Sequence, residues 1–242
     1  MTSTTTSWNR ASSCSRGTVH VGARSLDLVI LAIDTSAGTS VALVKDGRVW
    51  AEHSVADTMR HAEVVGALIL ECLATAGITA SAVTGVVAGM GPGPFTGLRV
   101  GIAAAEAFSV GAGIPLLPMV SHDAIAAAHY AAGRIATGAD SAITVVTDAR
   151  RRELYWSTYS GLNAGGLPER ISGPNLAKQG EVPLTVLGLT PLVVEAAEVP
   201  AGALALVAES LWRGGHFFER HEALYLRSPD ITLSKGPKRV VQ

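Results

Sequence analysis

Leu28-Val-Ile-Leu-Ala-Ile33, Asp34-Thr-Ser-Ala-Gly38 and Ser40-Val-Ala-Leu-Val44 form an unbroken apolar run, a polar turn and a second apolar run. A continuous aliphatic run with β-branched members is the pattern of a strand covered on both faces. Lys45-Asp46-Gly47-Arg48 follows, with the Asp-Gly pair that tight hairpin turns favour because both central residues need positive φ. Val49 to Ser54 then reads as a third strand, and the chain opens as an antiparallel meander. Working outward, a helix is expected from His61 to Ala76, stopped by Gly77. A buried strand over Val83 to Ala88, a helix from Thr96 to Val110, a strand over Ile114 to Met119 and a helix over Ser121 to Ala132 complete a β-β-β-α-β-α-β-α order.

The second half restarts in the same way. Ala142 to Thr147 is an apolar strand, Asp148-Ala-Arg-Arg a turn, and Glu153 to Ser160 a strand ending before Gly161. Leu184 to Leu189 reads as a strand, Leu192 to Ala197 as a short helix, Gly202 to Arg213 as a helix and Ala223 to Arg227 as a terminal segment. A strand, an Asp turn and a strand at the head of each half suggest a diverged duplication.

Composition limits the function classes. Of 242 residues 48% are apolar and 16% charged, against roughly 25% charged in an average domain. Such a chain buries a sizeable core and is not disordered over most of its length. Net charge is -1, which leaves no global attraction to nucleic acid or anionic membranes, only room for a local basic patch. Val100 to Val120 is the best candidate membrane span, but Glu106 sits within it and Pro115 and Pro118 break its end. The uncharged remainder, Ala107 to Val120, is shorter than the ~20 residues a span needs. It reads as a buried helix entering a buried strand, with no membrane partner.

Cys14 and Cys72 form neither a disulfide framework nor a metal site, so a reducing, cytoplasmic compartment is expected. Residues 1–27 are rich in Ser and Thr and carry Arg10, Arg16 and Arg24. They have the composition of a disordered extension or an over-long start, with a faint likeness to an organellar transit peptide. The basic tail 229–242 is expected to fray.

The chemistry-bearing stretch is Gly89-Met-Gly-Pro-Gly-Pro-Phe-Thr-Gly-Leu-Arg99. Its glycines reach conformations other residues avoid, and Thr96 is placed to cap the following helix. A glycine loop feeding a helix can hold phosphate, with Asp34 as a magnesium ligand nearby; a rigid strand-to-helix corner and a self-bonding Asp turn are the other readings. No Walker ending is present. Asp148 occupies the place analogous to Asp34, and Arg150-Arg151-Arg152 beside it would suit phosphate or RNA as well as plain solvent. His61 has Val65 at i+4, so no histidine pair exists there for a metal. Gly97, Gly101, Ala105 and Ser109 recur every four residues, a stripe that a second helix can approach closely. The preceding helix carries Val64, Val65, Leu68, Cys72 and Leu73 on one face, with Ile69 and Leu70 spilling over. Two such helices offer more apolar surface than one sheet needs, which suits either a partner protein or ordinary burial.

Ile33-Asp34-Thr35-Ser36, His61-Ala62-Glu63, Gly91-Pro-Gly-Pro-Phe-Thr-Gly-Leu-Arg-Val-Gly101, Asp148-Ala-Arg150 and Tyr225-Leu-Arg227 together resemble the bacterial TsaB (YeaZ) family, in the family's order over residues 28 to 228. The resemblance implies an α/β, duplicated actin-like or ribonuclease H-like fold. Its N-terminal subdomain, 28–122, would hold a mixed five-stranded sheet and the partner helices; the smaller, diverged C-terminal subdomain would be 123–228. It further implies a non-catalytic scaffold subunit that pairs with a catalytic paralogue, TsaD, and works with the ATPase TsaE. That complex transfers threonylcarbamoyl from its adenylate to an adenosine beside the anticodon of tRNAs. TsaD carries a His-x-x-x-His metal site on the corresponding helix; here Val65 replaces its second member. The implied interface residues are His61, Val65, Leu68, Ile69, Cys72, Gly97, Gly101, Ala105 and Phe108, facing TsaD or a second copy. Asp34, Thr35, Gly91, Gly93, Thr96 and Arg99 form the implied nucleotide, phosphate or interface loop. The chain by itself would hold no cofactor, with room for ATP or ADP at the partner interface, and would meet tRNA through the complex. The alternatives are a stand-alone phosphotransferase of the same superfamily and, against the ligand count, a metallopeptidase. Gly101→Leu or Ala105→Leu is expected to disrupt partner association while leaving the fold largely intact.

Overall fold

The computed structural model describes residues 27–133, 141–216, 218 and 221–227. The expectations for the leader up to residue 26 and for the tail 229–242 lie outside them. Strands β1 (Val29–Asp34), β2 (Thr39–Lys45) and β3 (Arg48–Val55) form the expected antiparallel meander. Asp46 and Gly47 turn it with φ of 50° and 70°, the geometry for which Asp-Gly is suited. Helix α1 (His61–Ala76) ends at Gly77 in the left-handed region, φ 66°. Strand β4 (Gly85–Gly89), helix α2 (Phe95–Ala112), strand β5 (Leu116–Met119) and helix α3 (Ser121–Ala131) follow. β4 lies parallel to β1 and β5 parallel to β4, giving a mixed five-stranded sheet ordered β3-β2-β1-β4-β5.

The second half holds β6 (Ile143–Asp148), β7 (Glu153–Leu162), β8 (Pro168–Lys178), β9 (Leu192–Glu195) and α4 (Ala201–Arg213). Its sheet runs β8-β7-β6-β9, with β6, β7 and β8 antiparallel and β9 parallel to β6. Four strands thus repeat the order and directions of β3-β2-β1-β4. The fold is the duplicated, actin-like α/β arrangement.

Three local expectations are overturned. Residues 192–197 are not helical: Val193 and Val194 pair with Thr144 and Val145, where β-branched side chains suit a pleated surface. Residues 184–189 give only a bridge, Val186 to Leu189, around a turn in which Leu187 and Gly188 take φ of 49° and 81°. β7 runs on through Gly161 to Leu162 to pair with β8, a strand with no sequence-level counterpart.

β1 is buried on both faces. Val29, Leu31 and Ile33 point into a core shared with Val65, Leu68, Cys72 and Leu73 of α1 and Ala105 of α2. Ile30 and Ala32 point into a second core with Ala124 and Ile125 of α3, Ile143 and Val145 of β6, and Leu204 and Ala205 of α4. The two halves close on each other by crossing over: α3 packs on β6, β7 and β8, and α4 packs back on β1 and β2. Trp212 of α4 lies over Gly85, where a Cβ would stand 2.4 Å from the indole ring.

Candidate functional site

Three loops and three helix starts meet at one end of the first sheet. The turn after β1 is built around Asp34, which is 1% exposed. Its Oδ1 accepts from the Ser36 amide at 2.8 Å and from the Ser36 hydroxyl at 2.6 Å, and its Oδ2 accepts from the Ser121 hydroxyl at 2.5 Å. Burial raises its pKa above the usual aspartate value, and the bonds from Ser121 and Ser36 only partly offset that rise. Asp34 is therefore a self-bonding turn former, tied to the first residue of α3, and not a free magnesium ligand.

The glycine loop folds inward onto this turn. At Gly93 a Cβ would lie 2.8 Å from Ser36 Cα, and at Gly89 it would lie 1.8 Å from Asp34 Oδ2. Gly91 takes φ 95°; its amide donates to Ser121 Oγ at 3.1 Å and its carbonyl accepts from the Ser121 amide at 2.8 Å. The glycines permit close backbone packing, so the rigid-corner reading describes the loop better than a phosphate cradle. Thr96 does not cap α2. The chain turns helical at Phe95 with extended Pro94 (ψ 138°) at the N-cap position, which places Thr96 inside the first turn and exposed.

His61 opens α1 and is buried. Its Nδ1 is hydrogen-bonded to Thr39 Oγ1 at 2.8 Å, and its ring backs onto Gly97, whose Cβ would lie 3.1 Å from Nε2. Burial lowers its pKa, offset in part by the charges of Asp34 and Asp57. One turn on, Val65 packs in the core beneath α1. The histidine acts as a brace between β2, α1 and α2.

The small-residue stripe is closed within the chain. Gly97, Gly101, Ala105 and Ser109 are all buried. Thr35 fills the space over Gly97 and Gly101: its hydroxyl donates to the Gly97 carbonyl at 2.7 Å and accepts from the Gly101 amide at 3.0 Å. Ser109 Oγ donates to the Ile114 carbonyl at 2.6 Å. On α1, Val65, Leu68 and Cys72 also face inward, with Cys72 Sγ donating to the Val41 carbonyl at 3.2 Å and burial pushing its thiol pKa up to about 11. Of the nine interface residues expected from the sequence, only Ile69 and Phe108 keep part of their surface. The outward surface is a different set. Ala62, Gly66, Ala67, Leu70 and Ala74 are exposed on α1, and Ala103, Ala107, Val110 and Gly111 on α2. Leu70 is 68% and Val110 82% exposed. These positions repeat the four-residue spacing on the opposite side of each helix, a second small-residue stripe.

The C-terminal segment 221–227 links the halves. The Leu224 amide donates to the Met90 carbonyl at 2.8 Å. The Tyr225 ring packs tilted against Phe95, centroids 4.8 Å apart at 48°, and the Arg99 guanidinium lies 3.7 Å over the Phe95 ring. Arg227 donates to the Ala149 carbonyl at 3.2 Å and approaches Glu153 at 3.6 Å. At the start of α3, His122 ties the same halves from inside: Nδ1 meets Ser157 Oγ at 2.8 Å and Nε2 meets Thr147 Oγ1 at 3.0 Å. Complete burial holds the His122 pKa down to about 3, so the imidazole is neutral. Thr39, Ser121 and His122 carry little sequence signal; for Ser121 and His122 it is the Ser-His-Asp run at the start of α3.

The family model described as TsaD, tRNA N6-adenosine threonylcarbamoyltransferase, matches residues 55–178, half of the chain. The TsaB protein of Escherichia coli, named as a tRNA threonylcarbamoyladenosine biosynthesis protein, is 32% identical over 155 residues, 62% of this chain and 64% of that one. The solved YeaZ structure from Pseudomonas aeruginosa superposes with a TM-score of 0.64 at 25% identity, over 78% of this chain and 93% of that one. This chain belongs to the TsaB (YeaZ) family. A Mycobacterium tuberculosis protein named only as uncharacterised is 37% identical over 187 residues, covering 74% of this chain and 84% of its own length. The glycine-proline block and the Asp34 turn form a closed structural corner here, and the outer sides of α1 and α2 expose small and aliphatic residues together with Glu63, Glu71 and Glu106. Among the described residues no helix is long and apolar enough to cross a membrane.

Proposed function

We propose that this chain, placed by its family in tRNA threonylcarbamoyladenosine biosynthesis, is the non-catalytic scaffold subunit that docks on a TsaD-type transferase and works with a TsaE-type ATPase. The observation that carries the reading is the outer face of α1 and α2, with Leu70 and Val110 largely exposed among Ala62, Gly66, Ala103, Ala107 and Gly111. Small residues let a partner's helices approach closely, and the two large aliphatic side chains supply area to bury. In the absence of the transferase the same face pairs two copies of this chain. His61 and Val65, at the positions of a metal-binding histidine pair, serve internal packing instead. The use of Asp34 and Gly93 in internal contacts weighs against an independent phosphotransferase.

Reconstitution tests this. The chain, a TsaD-type transferase, a TsaE-type ATPase and a source of threonylcarbamoyl-adenylate should together form the modified adenosine in tRNA, read by mass spectrometry of nucleosides. Omission of the chain should abolish the product. Full product without it, or ATP turnover by the purified chain alone, would overturn the assignment.

A further inference from the structure

The β6–β7 hairpin carries a feature that scaffold duty leaves unused. Arg150, Arg151 and Arg152 take φ of 65°, 54° and 64° in succession. Left-handed backbone is disfavoured for any residue with a Cβ and suits Gly or Asn. Three consecutive arginines nevertheless hold it, all exposed at the tip. The turn is locked from several sides: the Arg150 amide donates to Asp148 Oδ1 at 2.8 Å, the Ala149 amide to the Glu153 carbonyl at 3.0 Å, and the Gln179 amide to the Arg152 carbonyl at 2.8 Å. An unfavourable backbone held at an exposed tip, with no core to fill, points to a use for the side chains.

The tip also has a shaped neighbour. Arg151, Arg152, Glu153, Lys178, Gln179 and Gly180 line an open groove of about 550 Å³. Its one carboxylate, Glu153, turns toward Arg227 at 3.6 Å. Arg150 reaches across to Thr58 and lies 3.9 Å from Asp148, beside the groove. Two guanidinium groups, an ammonium and a side-chain amide thus border one trough. Guanidinium forks fit phosphate oxygens in pairs, and an amide suits ribose hydroxyls or base edges. With an overall net charge of -1, attraction of a polyanion must be local to this trough.

We propose that the β6–β7 hairpin tip and the adjoining end of β8, through Arg150, Arg151, Arg152 and Lys178, form a docking surface for the phosphodiester backbone of RNA. The chain itself then holds the tRNA, in addition to supporting its partner. Only the identity of the RNA rests on the function proposed above.

The test uses the purified full chain and a fluorescent, unmodified tRNA transcript in an anisotropy titration over a salt series. Binding should appear at about 50 mM salt and weaken as salt rises. The double variant Arg151→Gly/Arg152→Gly should bind on the order of 10-fold more weakly, with a log–log salt slope smaller by roughly 1.5. Lys178→Ala should weaken binding in the same direction. Because Gly adopts positive φ without strain, the double variant should melt at the parental temperature or above it, which separates lost contact from lost fold. The surface is refuted if the chain does not bind the transcript at low salt, or if these variants leave affinity and slope unchanged. Binding to vesicles containing anionic phospholipid in place of tRNA refutes it too. If the chain binds tRNA through the tip yet is dispensable in reconstitution, the scaffold reading fails and this surface stands.

Discussion

Replacement of Gly101 by Ala separates two accounts of the small-residue stripe on α2. The sequence suggests a surface stripe, so that a larger residue would disrupt partner association and leave the fold largely intact. The structure reverses that outcome. A Cβ at Gly101 would stand 2.2 Å from Thr35 Oγ1 and 3.1 Å from Thr35 Cβ. Thr35 has nowhere to go: it is buried, and its hydroxyl joins the Gly97 carbonyl to the Gly101 amide. Overpacking costs about 1–3 kcal/mol, and displacement of the hydroxyl forfeits two buried hydrogen bonds at about 1 kcal/mol each. A Gly-to-Ala change within a helix returns about 1 kcal/mol. The net loss is about 2–4 kcal/mol, which for a chain of this size lowers Tm by roughly 5–15 °C. Gly101→Leu should not fold. The matched control is Ala107→Arg on the exposed face, expected to change stability by no more than about 0.5 kcal/mol while removing association with the transferase. Circular dichroism melts and co-elution on gel filtration read both effects. If Gly101→Ala melts within about a degree of the parent and still loses its partner, the inward assignment of the stripe is wrong.

Two further substitutions probe the ties between the halves. The His122 pKa of about 3 lies below the ordinary 6.5, so the unfolded chain takes up this proton first as pH falls. The stabilisation is complete above pH 6.5 and is lost progressively down to pH 3, at up to ~1.4 kcal/mol per pH unit. Urea unfolding should therefore show about 2 kcal/mol less stability from this group at about pH 5 than at about pH 7. His122→Gln should shrink the difference by that amount; an unchanged pH dependence in the variant would rule the account out. At Asp34, Ala deprives the Ser36 amide, the Ser36 hydroxyl and the Ser121 hydroxyl of their acceptor, for a loss of about 3–5 kcal/mol. Asn keeps an oxygen for Ser36 and should lose distinctly less. Equal stability of the two variants in urea would refute the buried-acceptor role.

The strands and helices legible in the sequence are those whose own residues announce them. β1 is a continuous apolar run, Asp46-Gly47 is a turn, and Gly77 is a helix stop. β8 was missed because its burial alternates weakly and Gly173-Pro174 interrupts it; it exists through pairing with β7, a long-range cause that a local pattern does not carry. β9 was misread because Glu195-Ala-Ala favours a helix, while the open edge of β6 supplies the hydrogen bonds that decide the matter. The same limit applies to the site. His61, Asp34 and the glycine loop were visible as unusual residues, but their partners Thr39, Ser121 and Ser36 are ordinary ones brought there by the fold.

The stripe shows how far periodicity can reach. α2 carries small residues every four positions on two sides, Gly97-Gly101-Ala105-Ser109 and Ala103-Ala107-Gly111. Both suit close approach of another element, so helical spacing alone gives no choice between them. The choice is made by a hydroxyl group: Thr35, at the end of β1, offers both a donor and an acceptor to the Gly97 and Gly101 backbone, and glycine alone leaves that backbone reachable. No Cβ stands between the Thr35 hydroxyl and the Gly97 and Gly101 backbone, which fixes Gly97 and Gly101 as the inner pair. Ala103 and Ala107 lack any such polar partner and are left outward on α2 with Val110, as Leu70 is on α1. Under the proposed scaffold role, that exposed remainder is what a partner helix would cover. If the proposed docking holds, the substitutions that separate fold from assembly belong at Ala103, Ala107 and Leu70, and not at Gly97 and Gly101, whose backbone is bonded inside the chain.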